Sequence, residues 1–342
     1  MDRLLVVLPN WFGETLFATP FLKALRQQCP SAFIATLGWP QCRDVLLHHP
    51  SVNALLEYEE RGRHRSLAGK WRLIGELQAL RFDTAFVLRK SFSRTLLLWA
   101  AGIPRRVGWQ ARKSGWLLTH RVPVTRTPRH KALTYLPLLE AIGLQGAAAP
   151  YEYVVSEEER QAARASLMAL QALEPGRPLV VLHPGANWPH KRWGPERFAA
   201  VGDRLAERDH AIVLITGGPD DAALAESVRA GMRQPAAVLA GRTSLRQLAA
   251  CLEQAALFIS NDTGVLHIAA ALRRPVVALY GPTSPILTGP LGDPRRTVVL
   301  HHAGCCPRIP CYEPDRPPHA GMESITVDEA YAAAVRLLRE AA

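Results

Sequence analysis

No run of apolar residues in this 342-residue chain is long enough to cross a bilayer, which takes about 20 of them. The uncharged stretch that comes nearest, residues 275–292, is broken by Pro282, Pro285 and Pro290. The apolar run 4–8 behind Met1-Asp2-Arg3 is too short for a signal peptide, so a cytoplasmic protein is expected. Cysteine is scarce. Six residues, Cys29, Cys42, Cys251, Cys305, Cys306 and Cys311, cannot staple a chain of this length, and free thiols are expected. Neither G-x-G-x-x-G nor a Walker A sequence occurs, which argues against a dinucleotide site and a P-loop NTPase. Low-complexity tracts and a repeat period of about 20–50 residues are also absent, which disfavours solenoids and propellers.

Acidic residues are in the minority: 30 Asp and Glu face 41 Lys and Arg, a net charge of +11. Residues 1–160 hold 22 Lys and Arg against 13 Asp and Glu, net +9, and residues 161–342 hold 19 against 17, net +2. The first-half excess is clustered, at Arg61/Arg63/Arg65, Arg89/Lys90/Arg94, Arg105/Arg106, Arg112/Lys113 and Arg126/Arg129/Lys131. A one-sided field of this kind suits an anionic partner: nucleic acid, an anionic membrane surface or a phosphorylated substrate. A solvated basic face that only aids solubility gives the same composition.

With 48% hydrophobic and 21% charged residues, the chain is long enough for two globular domains. The first half alternates. Strands are expected over 4–8, 32–37, 54–58 and 83–88, with helices over 15–28, 67–80 and 91–101. Residues 121–153 break the rhythm with Pro123, Pro128, Pro137 and Pro150, and the inter-domain connection is expected over 143–156. Ser156 and Glu159 form a capping box that restarts the pattern. Strands follow over 179–183, 211–216, 257–260 and 276–280, with helices over 195–208, 219–232, 244–254 and 265–272. Thr326 and Glu329 open a last helix over 327–341. Such βαβ order predicts parallel sheets in an α/β fold, with ligands at the carboxyl edges of the strands, in a cleft between the domains.

Three loops at those edges carry polar groups. In Pro9-Asn10-Trp11-Phe12-Gly13-Glu14, Glu14 falls at a helix N-terminus, suited to a general base or merely to the helix dipole. In His183-Pro184-Gly185-Ala186-Asn187 the glycine permits close backbone approach, and Lys191 beyond it offers a point charge to a diphosphate or to solvent. In Ser260-Asn261-Asp262-Thr263-Gly264-Val265-Leu266-His267 the amides of Thr263 and Gly264 suit a phosphate, while Asp262 can bind sugar hydroxyls or cap the helix. His267 faces either the phosphate or the core. Asp220, after Gly217-Gly218, either touches a ribose or caps a helix. No D-x-D motif holds a cation against a diphosphate, so protein cations would stabilise a leaving group. His301, His302, Cys305, Cys306 and Cys311 have zinc-ligand chemistry in a spacing that fits no standard finger, and no metal site is expected.

Taken together, these motifs resemble the heptosyltransferases of lipopolysaccharide core assembly, glycosyltransferase family 9. The second-half segments His183-Pro-Gly-Ala, Lys191-Arg-Trp193, Ser260-Asn-Asp-Thr-Gly-Val-Leu-His267 and Ala278-Leu-Tyr-Gly-Pro-Thr-Ser-Pro285 are similar to the family's donor-site motifs. Phe86-Val-Leu-Arg-Lys-Ser-Phe92, Ala101-Gly-Ile-Pro-Arg-Arg-Val-Gly-Trp109 and His130-Lys131 look like the heptosyltransferase II branch. The resemblance implies a GT-B fold of two Rossmann-like domains facing across a cleft. Residues 1–150 would bind the acceptor, residues 151–325 the nucleotide sugar, and the helix 326–342 would pack back toward the first domain. It further implies inverting, metal-independent transfer of heptose from ADP-L-glycero-β-D-manno-heptose to the heptosyl-Kdo2-lipid A core. On this reading there is no cofactor and no nucleic-acid partner, and the protein contacts the cytoplasmic face of the inner membrane peripherally. Glu14 stands where the family has its catalytic aspartate. Lys191, Asp262, Thr263, Gly264 and His267 match the donor contacts, with His183, Gly185 and Asp220 beside them. Arg61, Arg63, Arg89, Lys90, Arg112, Lys113 and Lys131 are candidate contacts for the anionic acceptor. Rival readings are a family 9 transferase with another acceptor or sugar, and a non-catalytic sugar-nucleotide-binding protein.

Overall fold

The computed structural model describes residues 1–124, 129–302, 304, 309–311 and 320–341. The chain divides into two compact units, Met1–Val154 and Val155–Ala342, parted inside the segment where the sequence places the connection.

Among the described residues each unit carries a six-stranded parallel sheet. In the first unit the strands are β1 (Arg3–Val7), β2 (Phe33–Gly38), β3 (Ala54–Glu57), β4 (Thr84–Val87), β5 (Arg105–Trp109) and β6 (His120–Val122). Their order is β3-β2-β1-β4-β5-β6. In the second they are β7 (Leu179–His183), β8 (Ile212–Ile215), β9 (Ala236–Val238), β10 (Leu257–Asn261), β11 (Val276–Tyr280) and β12 (Thr297–His301), ordered β12-β11-β10-β7-β8-β9. The central strands are mostly apolar, as expected where helices cover both faces of a parallel sheet. β4, β7, β10 and β11 are buried throughout.

Chain order reverses beside β1, which pairs with both β2 and β4, and beside β7, which pairs with both β8 and β10. In open α/β sheets the carboxyl edge at such a switch point holds the ligand. The loops after β1, β7 and β10 that the sequence singles out lie there.

Several elements depart from expectation. The helix expected over 15–28 begins earlier and is divided at Ala18 into Phe12–Phe17 and Thr19–Gln28. The helix expected over 219–232 opens as a 3-10 turn, Pro219–Asp221. Within its own unit, helix Val327–Ala341 packs on helix Pro195–Arg208 and on β10, β11 and β12. There Ala330, Ala333, Ala334 and Leu337 join Phe198, Val201 and Leu205 in one core.

Candidate active site

In the first unit the chain leaves β1 through Leu8, Pro9 and Asn10, and enters helix Phe12–Phe17, with Glu14 in its first turn. Buried Arg94 fixes that loop. Its guanidinium donates to the carbonyl of Leu8 and to Asn10 Oδ1, both at 2.5 Å, and sits over the Tyr58 ring. Arg94 therefore belongs to the scaffold, not to the basic surface that the sequence suggests.

Glu14 lines a cavity of about 440 Å³ together with Trp11, Arg89, Lys90, Trp109, Arg129 and Tyr135. Trp109 is held by its indole N–H, which donates to the Leu88 carbonyl at 3.0 Å. Tyr135 is buried, and burial together with the nearby Glu14 charge pushes its phenol well above the ordinary range, so it stays a hydrogen-bond donor. Among the described residues no side chain or amide is directed at the Glu14 carboxylate. The residue is half-exposed and lines the cavity.

Of the candidate acceptor cations, Arg89 and Lys90 line this cavity, joined by Arg129. Arg61, Arg63, Arg112, Lys113 and Lys131 do not line it. Arg63 is engaged by Glu57 at 2.9 Å and Glu59 at 3.0 Å. Arg126 lies outside the described residues.

In the second unit Lys191 ends the 3-10 turn Pro189–Lys191, and its Nζ lies 2.7 Å from Asp262 Oδ2. His267 Nε2 lies 3.9 Å from Asp262 Oδ1. Burial by itself would raise the Asp262 carboxyl. The Lys191 and His267 charges, with hydrogen bonds from Lys191 and Thr283, hold it below the usual carboxylate range. Thr263 caps helix Gly264–Ala271, its hydroxyl accepting from the Leu266 amide at 3.3 Å. Asn261 Nδ2 donates to the Pro184 carbonyl at 2.8 Å, which ties this loop to the one after β7.

Three further sequence candidates differ in their surroundings. His183 is a core residue: its Nδ1 pairs with Thr216 Oγ1 at 3.0 Å, and burial pushes its pKa down to about 4. A neutral ring supplies no charge to a diphosphate. Gly185 is demanded by Asp221, whose carboxylate would stand 2.3 Å from an added Cβ. Asp220 is exposed, and the turn is closed by Asp221, which accepts from the Gly218 amide at 3.1 Å and faces Arg192 at 3.3 Å.

Sequence reasoning missed Tyr135, Arg94 and Asp221. A tyrosine four residues after Lys131 has no pattern of its own, and Arg94 reads as one more cation in a basic run. Cys305 and Cys306 lie outside the described residues. Cys29, Cys42 and Cys251 are buried free thiols, Cys311 is buried, and His302 bonds Glu329 at 3.0 Å.

Residues 70–314 match the family model described as glycosyltransferase family 9 (heptosyltransferase). The lipopolysaccharide heptosyltransferase 2 of Salmonella typhimurium is 31% identical over 315 residues, covering 87% of this chain and 88% of that protein. The lipopolysaccharide heptosyltransferase 3 of Escherichia coli is 28% identical over 341 residues, covering 97% and 96%. Among solved structures, the ADP-heptose lipopolysaccharide heptosyltransferase II of E. coli matches with a TM-score of 0.82 at 27% identity, over 99% of both chains. A glycosyl transferase family 9 protein of Veillonella parvula matches with a TM-score of 0.87 at 26% identity, over 99% of this chain and 97% of that one.

Proposed function

The chain belongs to glycosyltransferase family 9, and on that premise we propose that it transfers heptose from ADP-L-glycero-β-D-manno-heptose to the heptosyl-Kdo2-lipid A inner core. That it is a glycosyltransferase of lipopolysaccharide core heptosylation follows from the family and its relatives. The acceptor, the stereochemistry and the residue roles are the substance of the proposal.

The observation that carries it is the ammonium of Lys191, fixed by Asp262 beside the start of helix Gly264–Ala271. A clamped cation next to a helix N-terminus is a preorganised anion site. In this reading Lys191, His267 and the amides of Thr263 and Gly264 take the diphosphate, and Asp262 orients Lys191 and meets sugar hydroxyls. His183 and Gly185 shape the adjoining loops, and exposed Asp220 stands beside them. On the first unit Glu14 removes the proton of the acceptor hydroxyl as its oxygen attacks the anomeric carbon. The bond from that carbon to the diphosphate oxygen breaks on the opposite face, ADP departs and the configuration inverts. Protein cations take up the leaving-group charge, so no divalent ion is required. Arg89 and Lys90, with the other first-half cations, draw in an acceptor that carries carboxylates and phosphates.

No described helix is long and apolar enough to cross a membrane. Separately, because its proposed acceptor is lipid-anchored, the reading places the protein peripherally at the cytoplasmic face of the inner membrane.

The likeness to heptosyltransferase 3 over 97% of the chain favours one alternative, the same donor with a later core acceptor. Mass spectrometry of defined truncated core lipids, incubated with ADP-heptose with and without EDTA, tests both. One added heptose on the singly heptosylated core, undiminished by EDTA, is expected. Transfer only to a longer core selects the alternative, and loss with EDTA overturns metal independence.

A further inference from the structure

We propose that the outer face of helices Leu67–Ala79 and Phe92–Ala100, with the adjoining turn Gly115–Leu117, docks the first unit onto an anionic lipid bilayer. The inference rests on the reading that the acceptor is lipid-anchored, and it names the surface that would meet the lipid.

The two helices lie side by side, and the turn packs on the second of them. Leu73, Ile74 and Leu77 of the first helix and Leu97 and Leu98 of the second enter a single core layer against the sheet. Their opposite faces are therefore turned outward together. Those faces are not polar. Leu67 and Trp71, one helical turn apart, are 74% and 66% exposed. Phe92 and Trp99, two turns apart, are 44% and 52% exposed, and Trp116 on the turn is 62% exposed. A cluster of exposed large apolar side chains marks an interaction surface.

Charge decides between occupants. Residues 61–124 contain 14 Lys and Arg against 2 Asp and Glu, net +12, although the whole chain carries only +11. Exposed Arg65, Arg72, Arg112 and Lys113 belong to the same three elements or to the segments leading into them. A second copy of this chain would set that charge against itself. A bilayer with acidic headgroups accepts both features: indole rings sit at the headgroup level, and each nearby cation adds electrostatic attraction.

The test is flotation of the full-length protein with vesicles of phosphatidylglycerol and phosphatidylethanolamine, and with vesicles of phosphatidylcholine alone. Binding to the anionic vesicles is expected to weaken as salt rises and to be at least about tenfold weaker on phosphatidylcholine. Replacing Trp71→Ser, Trp99→Ser and Trp116→Ser together should lower anionic-vesicle binding by about tenfold or more while thermal unfolding stays close to the wild type. Quenching of wild-type tryptophan emission by brominated acyl chains reports the same insertion without any variant.

Heptose transfer to a deacylated, water-soluble core saccharide should be unaffected in the triple variant, and transfer to vesicle-embedded acceptor should fall. Wild-type protein that binds vesicles through these tryptophans but transfers no heptose would sink the acceptor reading and leave docking intact. Docking itself is overturned by equal binding to both vesicle types, by unchanged binding of the triple variant, by dimerisation that needs the three tryptophans, or by RNA competing with vesicles for this face.

Discussion

Glu14 and Lys191 are both charged groups of the proposed site, yet their surroundings differ. Among the described residues nothing is directed at the Glu14 carboxylate, whereas Lys191 is already clamped at 2.7 Å by Asp262. A base must exchange protons with a substrate and is best left open, while a leaving-group cation works best when it does not have to reorganise. Glu14→Gln should therefore lower kcat by about 10²–10⁴-fold and leave ADP affinity unchanged. Steady-state kinetics beside calorimetric ADP titration checks this, and near-native turnover would remove Glu14 from the chemistry. Lys191→Ala should weaken ADP and donor alike by about tenfold to a hundredfold, the worth of one charge-assisted hydrogen bond. Unaltered ADP affinity in the same titration counts against it. The Asp262 carboxyl is held below its ordinary range, so the stabilisation it brings is fully present above the unfolded-state pKa. That stabilisation is lost only as pH falls through the lower, folded value.

The elements that hold these groups depend on a few buried polar contacts. Arg94 bonds the Leu8 carbonyl and Asn10, and through them sets the path from β1 into the helix bearing Glu14. Arg94→Met keeps the volume but strips two donors from a buried loop. It should cost on the order of 2–4 kcal/mol in urea unfolding and lower kcat more than it changes donor KM. Full activity with intact stability would separate the loop from this anchor. Legibility in the sequence follows the same line. β7, β11 and helices Pro195–Arg208 and Val327–Ala341 have the bounds the pattern predicts, because each is an apolar run or stripe with clear end signals. β5, β6, β9 and β12 were not foreseen: they are edge or near-edge strands, only three to five residues long, and Arg105, Arg106, His120 and Arg121 carry no apolar alternation. The division at Ala18 was hidden too. Thr15 and Thr19 turn their hydroxyls back onto the carbonyls of Trp11 and Leu16, and periodicity does not report such bonds. For the candidate site, loop position is readable from βαβ order, but the tight approach of the Asp221 carboxylate to Gly185 is a tertiary contact that sequence spacing does not report.

At the scale of the whole chain, two buried histidines set an acid limit. Burial pushes His183 and His49 each down to about 4, the latter helped by Lys23. Both are neutral when folded, and the unfolded chain takes up their protons first. Their contribution is complete above about pH 6.5 and is lost as pH falls from there toward 4. Urea unfolding at pH 7 and pH 5 should differ by on the order of 1–2 kcal/mol for each histidine. His49→Gln should flatten that slope, and an unchanged slope would mean His49 is not its source. The last helix has a different reach. Because Ala330, Ala333, Ala334 and Leu337 complete the core around Phe198 and Leu205, the second unit cannot close until helix Val327–Ala341 has been synthesised. Met1–Val154 needs nothing downstream for its own sheet and can fold while translation continues. During elongation, then, the chain passes through a period with a finished first unit and an unfinished second unit whose β10 and β11 lack the cover of that helix. That is the interval in which a nascent chain would call on a chaperone.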